Sequence, residues 1–226
     1  SALHIACMAL DLGPGDILWT CPNTFVATSN AAIYCGAEVD FIDIDKDSYN
    51  ISVRDLKKRL EIAKKNDRLP KIVVPVHLSG QSCAMKEIKN LSNKYGFKII
   101  EDASHAIGAR YQNNNIGCCE YSDITVFSFH PVKIITTGEG GALLTNSDEF
   151  DKEAKQMRNL DFTTEKVYNK LMTKWTMTEK EYLKRHYNIM PTEDIAKKLS
   201  RTPSQIASQI YYLRKRGWTF HRRSDA

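Results

Sequence analysis

No stretch of this chain approaches 18 uncharged apolar residues, so a membrane-spanning helix is not expected. The start, Ser1-Ala2-Leu3-His4, lacks the basic segment and cleavage signal of a secretory leader. The six cysteines (Cys7, Cys21, Cys35, Cys83, Cys118 and Cys119) form no CxxC pair and no Cys/His metal spacing, which argues against a metal site and a disulfide framework. Reduced thiols, mostly buried as small hydrophobes, are the expectation. What is present is 226 residues, 42% hydrophobic and 26% charged, enough for a packed core. Disordered, collagenous and disulfide-miniprotein classes are thereby excluded, and a soluble, cytoplasmic protein without metal is expected.

Charge is unevenly placed. From Thr164 to Ala226 there are 14 lysines and arginines against 6 acidic residues, a net +8, while the remainder has 18 against 21, a net −3. Such a shift marks two modules, the basic one a candidate for binding a polyanion. The boundary is expected in the polar stretch from Asp161 to Lys174, giving domains over 1–163 and 174–220.

Helices and strands alternate along the first module. A helix over 1–11 stops at Gly13-Pro14-Gly15-Asp16, and Ile17-Leu18-Trp19-Thr20 suits a buried strand. Helices follow over about 24–34, 53–64, 85–95 (closed by Gly96) and 148–159. Strands are expected over 39–42, 71–76, 97–100, 125–129 and 142–145. Strands separated by helices of this length predict an α/β fold, a mainly parallel sheet with helices on both faces. Ligands bind such sheets beyond the carboxyl ends of the strands.

Chemistry-bearing residues cluster there. Glu101-Asp102-Ala103-Ser104-His105 follows one strand, and His130-Pro131-Val132-Lys133 follows another. An Asp and a Lys at neighbouring strand ends supply what pyridoxal 5'-phosphate requires: an amine to form a Schiff base, and a carboxylate to keep the pyridine nitrogen protonated. Ser128, five residues before Lys133, and the main-chain N–H groups beside Ser1 and Ala2 suit a phosphate. Taken singly, Asp102 reads more often as a helix cap than as a cofactor ligand, Lys133 as a solvated surface charge and Phe25 as core; the constellation reverses this. His77 and His130 carry no assigned role, Gly138 to Gly141 read as turn glycines, and Cys118-Cys119 as filler before a strand.

Ser-Ala-Leu-His, Gly-Pro-Gly-Asp, Asn23-Thr24-Phe25-Val26-Ala27-Thr28, Pro75-Val76-His77-Leu78-Ser79-Gly80-Gln81, Glu101-Asp102-Ala103-Ser104-His105, Phe127-Ser128-Phe129-His130-Pro131-Val132-Lys133 and Gly138-Glu139-Gly140-Gly141 stand in family-like order and spacing. Over about residues 1–160 the chain resembles the DegT/StrS-like nucleotide-sugar aminotransferases, and the resemblance implies the large domain of a fold-type I aminotransferase. It further implies Lys133 as the Schiff-base lysine, Asp102 as the partner of the pyridine nitrogen and His105 beside the phenolic oxygen. Phe25 would lie on the ring face, with Ser128 and the Ser1-Ala2 backbone at the phosphate. The Phe-His-Pro-Val-Lys segment is similar to transaminases that aminate the 4-keto group of a UDP-linked dideoxy sugar. Glutamate is then the expected donor, a nucleotide-linked keto sugar the acceptor, cell-surface polysaccharide the destination, and a homodimer the assembly. Sugar dehydratases of the family replace the lysine by histidine, so Lys133 argues for amino transfer. Full members have a segment before the Ser-Ala-Leu-His helix and a small domain after the one ending near Asn159, so the expected large domain is incomplete.

The basic module shows three helical patterns, the first two each opened by a Thr cap followed shortly by acidic residues and the third by Thr202-Pro203, with Leu183, Ile195, Leu199, Ile206, Ile210 and Leu213 as an interior closed by Trp175 and Trp218. This small three-helix α domain resembles a Myb-like helix-turn-helix. Ser204, Gln205, Ser208, Gln209 and Tyr212 would then face a DNA groove, and Lys215, Arg216, Arg222 and Arg223 would contact phosphates. The alternative to an enzyme is therefore a defunct aminotransferase fragment fused to a DNA-binding module.

Overall fold

The computed structural model describes residues 1–159, 175–201, 203–215 and 217–220. The chain divides into two compact units, residues 1–167 and 168–226. The first unit contains α1 (Ala2–Ala9), β1 (Ile17–Thr20), α2 (Ala27–Tyr34), β2 (Glu38–Phe41), α3 (Val53–Lys65), β3 (Ile72–Val74), α4 (Met85–Tyr95), β4 (Lys98–Asp102), β5 (Arg110–Tyr111), β6 (Asn114–Asn115), β7 (Ile124–Ser128), β8 (Gly141–Leu144) and α5 (Asp148–Arg158). The sheet runs β2-β1-β3-β4-β7-β8, parallel throughout except for the last pair, which is antiparallel.

Strand alternation sorts the apolar residues into two cores. Ile17, Trp19, Val73 and Ile99 meet Leu56, Leu60 and Ala63 of α3 and Met85, Ile88 and Leu91 of α4. Leu18, Ile72, Val74, Ile100, Ile124 and Val126 meet Ala6 and Cys7 of α1, Ala31 and Ala32 of α2 and Ala154 of α5. Both faces are covered, which is why the inner strands β1 and β3 are buried along their whole length.

Local chemistry sets the helix ends. The Ser52 hydroxyl accepts from Asp55 N–H at 3.2 Å to open α3, whose first turn is acidic and whose last carries Lys64 and Lys65. Gly96, at φ 85°, closes α4. Three features differ in substance from expectation. The second helix begins at Ala27 rather than residue 24, because the Thr24 side chain is engaged with Thr28 instead of capping a first turn. The polar hairpin β5–β6 has no apolar alternation and was not foreseen. Of Gly138, Gly140 and Gly141 only Gly138 takes a positive φ, whereas a Cβ on Gly141 would meet the Phe127 carbonyl at 2.8 Å, so close approach is what demands glycine there.

The second unit has α6 (Met177–His186), α7 (Thr192–Lys198) and α8 (Pro203–Lys215) around Leu183, Ile195, Ile206, Ile210 and Leu213, with Trp175 buried and Trp218 packed on the edge. Thr176 caps α6 in a reciprocal box with Glu179. The second helix is capped differently from expectation: Pro191 precedes it and Thr192 is already its first helical residue. Arg201 donates to Glu179 Oε1 through Nε at 3.1 Å and Nη2 at 2.9 Å, and its guanidinium lies 4.7 Å from the Trp175 ring centroid. No described helix is long and apolar enough to cross a membrane.

Candidate active site

The site is built at the carboxyl ends of β4 and β7, adjacent strands in which Asp102 pairs with Val126, two residues before Ser128. Because side chains alternate, Asp102 and Ser128 follow Ile100 and Val126 onto the face covered by α1 and α2.

Asp102 is buried, and its carboxylate accepts from three donors. Oδ2 accepts from the Thr28 hydroxyl at 2.8 Å, and Oδ1 from the Ser104 hydroxyl at 2.6 Å and the Ser104 N–H at 3.2 Å. Ser104 lines a cavity of about 290 Å³ together with Ser79, His105, Val132, Lys133 and Ile134. Lys133 and His105, 28 residues apart in the chain, thus share one cavity whose wall is bonded to Asp102. Ser79 N–H donates to His105 Nδ1 at 3.4 Å, so in the neutral ring the proton sits on Nε2.

The remaining expected residues fall into two places. Ser128 pairs with Gly141, and a Cβ on Gly141 would lie 3.6 Å from Ala2 Cβ, which brings the Ser128 hydroxyl and the start of α1 together. The first intrahelical bond of α1 runs from Ile5 N–H to Ser1 C=O, and no side chain caps the helix, so its earliest N–H groups lack intrahelical partners. Phe25 is 75% exposed rather than core, and its carbonyl accepts from the N–H of Thr28. An amine, a carboxylate, an imidazole, an exposed aromatic face and an anion-binding end form a donor set that fits pyridoxal phosphate. Among the described residues no cluster of His, Cys, Asp and Glu could hold a metal.

Thr28 and Ser104 were missed by reading the sequence. The signal for Thr28 was a hydroxyl on the inward face of a helix otherwise lined with alanines, and for Ser104 the two-residue spacing from an Asp that favours a local turn bond. His77 proves fully buried, on the opposite face of the sheet. It accepts from Cys83 N–H through Nδ1 at 3.1 Å, so Nε2 donates to Glu101 Oε2 at 2.7 Å, while Ser122 and Thr125 donate to Glu101 Oε1. His130 is exposed in the loop before Lys133, where its N–H lies 3.5 Å from the Ser128 hydroxyl.

In the second unit one proposed groove contact is overturned. Gln209 is completely buried, because at helical spacing it falls with Ile206, Ile210 and Leu213 on the inner face of α8. Gln205 is half-buried. Arg216, Arg222 and Arg223, and the side chains of Ser204, Ser208, Tyr212 and Lys215, lie outside the described residues, as does the expected domain boundary over 161–174.

The sequence profile of the DegT/DnrJ/EryC1/StrS aminotransferase family matches residues 1–181. The UDP-4-amino-4,6-dideoxy-N-acetyl-beta-L-altrosamine transaminase of Campylobacter jejuni subsp. jejuni serotype O:2 is 42% identical over 169 residues, 75% of this chain and 43% of that protein. A DegT DnrJ EryC1 StrS aminotransferase from Brucella abortus, 34% identical, superposes with a TM-score of 0.64 over 71% of this chain and 42% of its own. NtdA from Bacillus subtilis, solved with bound cofactor PMP, is 32% identical with a TM-score of 0.61, covering 69% of this chain and 33% of its own. The chain spans less than half the length of these relatives.

Proposed function

The chain belongs to the DegT/DnrJ/EryC1/StrS aminotransferase family, whose aminotransferases depend on pyridoxal phosphate, and from that premise we propose that it transfers an amino group from glutamate to a nucleotide-linked keto sugar. The observation that carries this reading is the shared cavity of Lys133 and His105, bonded through Ser104 to Asp102. The Campylobacter transaminase favours a UDP-linked 4-keto dideoxy sugar as acceptor and polysaccharide building blocks as the product class.

When bound, the cofactor supplies an electron-withdrawing ring that stabilises negative charge at the carbon losing its proton. The chain's own residues divide the remaining work. Asp102, held by three donors, keeps the ring-nitrogen proton in place. His105 presents its Nε2 proton toward the phenolic oxygen, since Nδ1 is occupied by Ser79. The start of α1 and the Ser128 hydroxyl bind the phosphate. Lys133 Nζ takes the proton from the α-carbon of the donor amino acid. The exposed apolar side chains of Val26, Ile33 and Tyr34 at and along α2 supply a surface for a second copy, in keeping with a homodimer.

The test is borohydride reduction of the protein with pyridoxal phosphate, followed by peptide mapping. The parent chain should carry the reduced adduct on Lys133 and Lys133→Ala should carry none; an equal adduct on the variant overturns the assignment.

A further inference from the structure

Thr28 belongs to neither the lysine loop nor the Asp102 segment, yet it bonds to both halves of the ring-binding apparatus. Its N–H donates to the Phe25 carbonyl at 3.1 Å, and its hydroxyl donates to Asp102 Oδ2 at 2.8 Å. Its side chain is buried, and the contact spans 74 positions of sequence. The Thr28 hydroxyl has a single proton and an ionised carboxylate can only accept, so that proton goes to Asp102. The 2.9 Å contact between Thr24 and Thr28 must therefore run from the Thr24 O–H to Thr28 Oγ1. The result is an ordered chain, Thr24 to Thr28 to Asp102, with every proton direction fixed. With Ser104 holding Oδ1, the carboxylate cannot rotate, and Oδ2 keeps acceptor capacity for one further donor.

We propose that Thr28 is a positioning residue: its hydroxyl locks the Asp102 carboxylate, the group meeting the cofactor's ring nitrogen, while its backbone N–H bonds the carbonyl of Phe25, the residue meeting the ring face. This rests on the aminotransferase reading above. The bracket explains why the second helix starts late: residues 24–26 remain outside the helix so that Phe25 stays at the surface while Thr28 turns inward. A hydrogen bond to a charged acceptor in a dry site is among the stronger neutral-donor contacts, and fixing a catalytic group removes rotational freedom that binding would otherwise have to remove.

The experiment compares Thr28→Val, which keeps shape and removes the donor, with Thr28→Ser, which keeps the donor, and with Thr24→Val, which removes only the outer link. Without cofactor, the carboxyl carbon resonance of Asp102 in protein labelled at aspartate, assigned with Asp102→Asn, should move in Thr28→Val, move less in Thr24→Val and stay in place in Thr28→Ser. With cofactor, Thr28→Val should bind pyridoxal phosphate about tenfold more weakly and change its visible circular dichroism, which reports ring tilt, while Thr28→Ser stays within about twofold of the parent. A Thr28→Val resonance that does not move, or unchanged cofactor affinity and dichroism, overturns the proposal. Should Thr28→Val fail to fold, Thr24→Val decides by the same readouts, a parent-like Asp102 resonance overturning it. A parent chain that binds no cofactor overturns the aminotransferase reading instead, and the Asp102 resonance still decides whether Thr28 holds the carboxylate.

Discussion

Glu101 and Asp102 are consecutive in β4 and serve opposite faces of the sheet. Asp102 is held by Thr28 and Ser104 on the side of α1 and α2, and Glu101 by His77, Ser122 and Thr125 on the side of α3 and α4. One strand end thus carries the candidate cofactor contact and, back to back with it, a buried polar network that fixes the strand.

Asp102→Asn keeps an acceptor but turns an amide toward donors that expect a carboxylate. A loss of about 1–2 kcal/mol in urea unfolding is expected. Removing the charge should lower amino transfer at least about a hundredfold in single-turnover assays. The contrast between a small stability loss and a large rate loss separates a chemical role from a structural one.

His77→Phe strips Glu101 Oε2 of its donor inside the core. Removing one donor from a buried carboxylate costs about 1–3 kcal/mol. The double variant His77→Phe, Glu101→Leu should recover part of that loss, and an additive double variant would show that the two side chains are not coupled.

Acid should find the same network. Burial pushes the Glu101 carboxyl up, but the bonds from His77, Ser122 and Thr125 outweigh it and hold the group below its ordinary 4.5. A depressed folded value means that this stability is complete above about pH 4.5 and drains away as pH falls through the folded value. Urea midpoints of the first unit should therefore drop as pH falls below about 4.5, and drop less steeply in Glu101→Gln.

Thiol labelling should be selective. Cys118 is exposed, whereas burial pushes the Cys21 thiol up to about 11 and Cys35 to about 12, and raises Cys7, Cys83 and Cys119 as well. A disulfide reagent on the native protein should modify Cys118 first, with the remaining thiols reacting only after denaturation; mass mapping reads the outcome.

In the second unit Arg201→Ala should lower the stability of the three helices by about 1–3 kcal/mol, since it removes both donors to Glu179 Oε1 and the stack on Trp175. Arg201→Lys should recover little, because an ammonium cannot reproduce the planar fork. A melt that follows residues 175–220 through Trp175 fluorescence checks both.

The sheet was legible because β1, β3, β4 and β7 are short apolar runs punctuated by turn residues, and the placing of the candidate site because Asp102 and Lys133 follow the carboxyl ends of two such strands. What escaped was pairing at long range. Nothing local announces that Thr28 reaches Asp102 or that His77 reaches Glu101, since each contact depends on how α2 and the segment after β3 return to β4. Gln209 misled for a different reason: its amide suggested a surface, while its spacing from Ile206, Ile210 and Leu213 had already placed it inside. The hairpin at 110–115 offered no pattern, its four paired residues being polar or aromatic with no buried face.

The separation of the sheet's two cores also sets how ligand binding would spread through the molecule. α1 supplies both the proposed anion-binding end and, through Ala6, Cys7 and Ala9, the packing of its own face, so a ligand bound there would stabilise that core directly. Nothing comparable ties α3 and α4 to the site. Amide hydrogens of α1, α2 and α5 should exchange more slowly once cofactor is bound, and those of α3 and α4 much as before, so that a single binding event divides the unit into a protected half and an indifferent one.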